Sequence, residues 1–129
     1  WPEAEAKTRA LFAGTDFPEL GVQETRAKYV TRAELATQLE RLRAGWPRLR
    51  ARLAEQLFSS ADVRRRLEAV GAPSEPEQIG LSRARLRDSA VRAQHVRRRF
   101  TVLDLAVRTQ RLTPWLDALF SADGAGGRA

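Results

Sequence analysis

Few residues in this sequence are of the types that do chemistry unaided. There is one histidine, His95, and no cysteine in 129 residues. A thiolate nucleophile, a thiolate metal site and a disulfide framework are therefore excluded. A single imidazole must also serve every Ser-His-Asp or His-rich metal set that could be drawn. His95 has no Cys, His or Asp at ligand spacing and falls off the apolar arc of its segment, so it reads as a surface histidine. Arginine is the abundant functional group, 21 residues against two lysines, clustered at 41–52, at 64–66 and from 83 to 99. Binding a phosphate backbone requires such charges on one stripe. On a wheel at about 100° per residue, Arg87 and Arg98 fall on one side of the 83–99 segment and Arg85, Arg92 and Arg99 on the other. No aromatic residues interleave for base stacking, so most of this charge reads as solvated surface.

Arg97 stands apart from that pattern. On the same wheel it falls inside the apolar arc of Leu86, Ala90, Ala93, Val96 and Phe100. A guanidinium on the core side must find a carboxylate, carbonyls or a ligand, because an unpaired buried charge is costly. The plainer reading is an internal ion pair with Asp104 or Asp88. The functional reading makes Arg97 a substrate-binding residue, its planar fork of donors suited to a phosphate. Tyr29, Trp46 and Trp115 lie beside Leu-rich faces and read as core or edge packing.

The elements that must position these groups are helical. No stretch alternates apolar and polar residues over five positions with Val, Ile or Tyr enrichment, and no Asn-Gly or Asp-Gly hairpin turn occurs. Helices are expected over residues 3–12, ending at Gly14, and over 19–29 after the turn Asp16-Phe17-Pro18. Thr31 and Glu34 have capping-box spacing and open a helix with Leu35, Leu39 and Leu42 on one face. Gly45 and Pro47 then predict a kink or corner at Trp46, before Leu49, Leu53 and Leu57 resume the pattern. Ser59 and Asp62 offer a second box for a helix ending at Gly71, and residues 71–80 predict a loop around one short turn. Ser82 should cap a long helix through about Arg99, Thr101 should start or continue one, and Thr113-Pro114 should open the last.

The length suits one helical domain, 1–120, followed by a flexible Gly-rich tail, 121–129. The balance of 23 basic against 16 acidic side chains, +7, leaves a nucleic-acid-binding or adaptor module as the alternative class. No apolar run approaches a membrane span, and with no cysteine a cytoplasmic setting is the simplest expectation. Trp1 stands where an initiator methionine is expected, and the chain reads as a piece of something larger.

Two stretches carry a resemblance. Gly71-Ala72-Pro73 with Glu75-Pro76-Glu77-Gln78-Ile79-Gly80, then Ala93-Gln94 and Val96-Arg97-Arg98-Arg99-Phe100-Thr101-Val102-Leu103-Asp104-Leu105-Ala106, resemble the C-terminal part of bacterial sn-glycerol-1-phosphate dehydrogenases. Lys28-Tyr29 and the segment from Leu39 to Trp46 look similar as well, so the likeness spans about residues 18–120. The family belongs to the dehydroquinate synthase and iron-containing alcohol dehydrogenase superfamily. Where its pattern has Asn between two arginines this chain has Arg98, and where it has Tyr this chain has Phe100.

The resemblance implies an all-α, multi-helix C-terminal domain of the dehydroquinate synthase-like fold, without the N-terminal nucleotide-binding α/β domain. It implies that the parent enzyme reduces dihydroxyacetone phosphate with NADH or NADPH, assisted by Zn2+ or another divalent metal held by an Asp and two His. Those ligands and the cofactor loop belong upstream, so no metal, cofactor or catalytic residue is expected in this chain, which alone should be inactive. The expected partner is the α/β domain of the parent enzyme. A homo-oligomer stays open, and neither a membrane nor nucleic acid is expected.

Overall fold

The computed structural model describes residues 1–120, so the Gly-rich tail expected at 121–129 lies outside the described residues. Among them the chain is all-helical: α1 (Pro2–Leu11), α2 (Pro18–Arg26), α3 (Arg32–Gln56), α4 (Ser60–Ala69), a 3-10 turn (Pro76–Ile79), α5 (Arg83–Ala93), α6 (Val102–Arg108) and α7 (Leu112–Phe120). The chain divides into two compact units, one of Trp1–Thr31 together with the residues from Ala84 onward, the other of Arg32–Arg83.

The first unit holds the core, formed by Phe12, Val22, Ala106 and Leu116. Pro2 and Pro18 start α1 and α2 in the first turn, where a missing N–H costs nothing. The two helices approach closely because Gly21 presents no side chain to the Phe12 ring. A Cβ there would lie 2.9 Å from Phe12 Cδ2. α6 ends in a Schellman arrangement, with Arg111 N–H donating to the Ala106 carbonyl (2.7 Å) and Gln110 N–H to that of Val107 (2.9 Å). That turn requires the left-handed region, and Gln110 occupies it at φ 58°, a conformation that glycine adopts with less strain.

The second unit is built from α3, α4 and the loop that carries the 3-10 turn. Ser59 caps α4 as its spacing predicts, its hydroxyl accepting from Asp62 N–H at 3.1 Å. Gly71, at φ 69°, closes that helix. The loop over 71–80 is pinned by Gln78, whose side-chain oxygen accepts from the N–H groups of Ser74 (2.7 Å) and Glu75 (2.8 Å). No residue of α3 or α4 is buried.

Three helices differ from expectation. No corner forms at Trp46, and α3 runs unbroken through Gly45 and Pro47 for 25 residues. Pro47 removes the bond to the Arg43 carbonyl and its ring crowds that carbonyl; Arg43 is an exposed residue, where water can take the freed acceptor. The expected helix through Arg99 stops at Ala93, and residues 94–101 are non-helical. α7 also starts at Leu112, ahead of Thr113, with Pro114 in its first turn. Trp46, Tyr29 and Trp115 were expected in the core or at its edge, but all three are more than 40 % exposed.

Gly21→Ala should lower the stability of the first unit by about 1–3 kcal/mol, because the added methyl overpacks against a buried ring. Urea unfolding followed by far-UV circular dichroism measures it. An unchanged midpoint would show that α1 and α2 separate at no cost.

Candidate functional site: a basic cavity beside a buried ion pair

The end of α5 and the start of α6 are organised by one buried ion pair. Lys28, just past α2, places Nζ 2.7 Å from Asp104 Oδ1, with the two side chains 7 % and 5 % exposed. The other carboxylate oxygen, Oδ2, accepts from Thr101 N–H (2.7 Å) and from the Thr101 hydroxyl (2.9 Å). Asp104 thereby completes the capping box that starts α6. Lys28 Nζ also donates to the Gln94 carbonyl. In a continued helix that carbonyl would accept from the Arg98 N–H; with α5 ended at Ala93, it is satisfied by Lys28 instead. Burial pushes the Asp104 carboxyl up, but the hydrogen bonds from Lys28 and Thr101 outweigh it and hold the group below the usual carboxylate value.

His95 lies on the same node and is not the surface residue its sequence position suggests. Its ring packs edge-on to Phe12, with centroids 6.0 Å apart, and Nδ1 is 2.7 Å from Thr25 Oγ1. The Thr25 hydroxyl is also 2.7 Å from the Gly21 carbonyl, which can only accept. The hydroxyl proton therefore goes to Gly21, Thr25 accepts from Nδ1–H, and Nε2 is left as the acceptor of a neutral ring. Burial, reinforced by the Lys28 charge, keeps the imidazole below its ordinary value of 6.5.

These groups border a cavity of about 660 Å³ between α1, α2 and the segments from α5 to α7. Its wall carries Lys7, Lys28 and Arg108 against the single carboxylate of Asp104, with His95, Tyr29 and Thr113 alongside apolar Leu11, Val30, Val91 and Leu112. Arg108 is held in place by its bond to the Lys28 carbonyl (2.8 Å) and by stacking over Phe100, 4.7 Å from the ring centroid. The wall is basic, part apolar, and offers an imidazole acceptor. That combination suits a small anion with a compact carbon skeleton.

Arg97 is not where its wheel position predicts. The helix on which that phase was reckoned ends four residues earlier, Arg97 is exposed, and Asp104 is engaged by Lys28. Arg97 does not line the cavity. Neighbouring Arg98 pairs with buried Glu24 at 2.9 Å. Sequence reasoning missed Lys28, His95 and Arg108 as a group. Lys28 had a signal, being one of two lysines in a chain otherwise rich in arginine. Asp104 had another, the capping-box spacing from Thr101. No group of three or more His, Asp or Glu able to hold a metal ion occurs among the described residues, so no residue here is assigned to Zn2+.

Lys28→Met leaves Asp104 buried without its cation and should cost about 3–5 kcal/mol in thermal or urea unfolding. Lys28→Met with Asp104→Asn should cost less than the two single changes summed, because the uncompensated charge is gone while the cap on Thr101 is kept. Additive losses would show that the two side chains are not coupled. The His95 shift sets a pH dependence. The folded ring binds its proton at lower pH than the unfolded one, so its contribution is complete above 6.5 and is lost as pH falls through the folded value. Stability should therefore fall on acidification below pH 6.5, and His95→Phe should flatten that part of the profile.

Comparison with protein-family models, with curated proteins and with solved structures gives no match for this chain.

Proposed function

We propose that this chain is the helical domain of an NAD(P)-dependent oxidoreductase of the sn-glycerol-1-phosphate dehydrogenase type. It works with an α/β nucleotide-binding domain and is inactive alone. One observation carries the reading. The residues of the resembling stretches, Lys28, Gln94 and Asp104, are distant in sequence yet meet in one buried node on the wall of a basic cavity. In this reading the cations of that wall attract the phosphate of dihydroxyacetone phosphate, and the apolar part of the wall excludes water from its three-carbon chain. Bound cofactor and metal would supply the hydride and the polarisation of the carbonyl. The chain's own part is to bind the anion and hold its position.

The rival reading as a basic nucleic-acid-binding module gains less support. Arg9, Arg64, Arg65, Arg83, Arg87 and Arg98 are engaged with carboxylates, and Arg26 and Arg66 stack on aromatic rings. Charges so occupied are poorly placed to release counterions from a phosphate backbone.

The test uses the chain alone and the complete gene product. With dihydroxyacetone phosphate, NADH or NADPH and Zn2+, the chain alone should show no cofactor oxidation and the complete protein should turn over. Lys7→Ala with Arg108→Ala in the complete protein should raise KM for dihydroxyacetone phosphate about tenfold with a smaller change in kcat. Turnover by the isolated chain, or a complete protein that leaves dihydroxyacetone phosphate unreduced, would overturn the assignment.

A further inference from the structure

We infer that α3 is a docking helix for an amphipathic partner helix with acidic flanks. The inference does not depend on the dehydrogenase reading, since α3 lies in the second unit and the cavity in the first. Because α3 is unbroken, the two leucine sets on either side of Trp46 join into one series, Leu35, Leu39, Leu42, Trp46, Leu49 and Leu53. The spacing alternates four and three residues, the repeat of a coiled-coil seam. At about 100° per residue these six side chains occupy an arc of about 80°, and Pro47 falls outside it. The chain covers the seam only in part: no residue of α3 is buried, Leu35, Leu39, Leu42 and Leu53 are half-buried, and Trp46 and Leu49 are 42 % and 39 % exposed. Gly45 lies at the edge of the seam, and nothing approaches within 4 Å of where its Cβ would be. A glycine there costs helix stability and leaves room for a close neighbour.

Charge selects the occupant. At about 100° per residue, Arg43 and Arg50 lie about 20–40° beyond one edge of the seam, and Arg41 and Arg52 about 60–80° beyond the other, level with Glu34. None of the four makes a carboxylate ion pair among the described residues, unlike Arg64, Arg65 and Arg83 of the same unit. A second copy of α3 would set arginine rows against each other. An acidic partner would instead match both edges. A membrane surface would favour a wider apolar face than this narrow seam.

The probe is a labelled synthetic helix with leucine at the seam positions and glutamate along both edges, titrated onto the full chain and read by fluorescence anisotropy. It should bind at least ten times more tightly than the same peptide with lysine at those edges, and added salt should weaken it. Arg43→Glu with Arg50→Glu, both exposed on the helix, should invert the preference. Leu42→Glu with Leu49→Glu should abolish binding while the circular dichroism spectrum is kept. Equal affinity for the two peptides, or no binding of either, would overturn the inference. So would a dimer in sedimentation that the leucine changes dissolve, or uptake by phosphatidylglycerol vesicles stronger than peptide binding.

Discussion

A lysine ammonium and a carboxylate meet 2.7 Å apart with little water around either, and the ends of three helices take their places from that contact. Withdrawing two charges from water costs several kcal/mol per ion, on the order of what their attraction returns, so such a pair persists only when the remaining lone pairs and protons are also used. Here they are. The second oxygen of Asp104 holds the backbone and hydroxyl of Thr101, and the Lys28 ammonium holds the Gln94 carbonyl. The same few bonds fix the chain after α2, satisfy the end of α5 and start α6. The ammonium is well suited to this, since its three donors point in different directions, whereas a guanidinium presents a flat fork.

The node also sets the chemistry beside it. Ending α5 at Ala93 turns Gln94 and His95 inward, where the imidazole meets Thr25 and stands nearly perpendicular to the Phe12 ring. Burial and the neighbouring ammonium hold that ring's proton affinity below the ordinary histidine value, which favours the neutral ring. The net positive character of the cavity then comes from Lys7, Lys28 and Arg108 against Asp104.

The two units divide their resources differently. The first has a small core and a cavity, and its buried side-chain polar groups are satisfied. The second has no buried residue in either of its α-helices, and in its loop Glu75 holds both Arg64 and Arg83. Its long helix is left with an apolar seam edged by arginines. A helix of this kind draws little stability from propensity alone and gains by packing against another.

The helical class, the ends of α1 and α4, the turn before α2 and the loop over 71–80 were legible in the residues themselves, because caps, prolines and glycines act on their own neighbours in the chain. The start of α6 was legible for the same reason, through Thr101 and Asp104. What escaped the sequence depends on groups far apart in the chain. Periodicity carried a helix through Arg99 and placed Arg97 in the core. The Gln94 carbonyl instead bonds an ammonium 66 residues away, the helix ends, and the phase of Arg97 has no helix to refer to. His95 looked exposed because its partner, Thr25, is 70 residues distant. Pro47 and Gly45 signalled a kink or corner, yet α3 stays helical through both, so their local cost did not end the helix. Local steric and capping preferences were thus fixed by the sequence, whereas the ends that matter for the cavity were decided by where one buried charge found its partner.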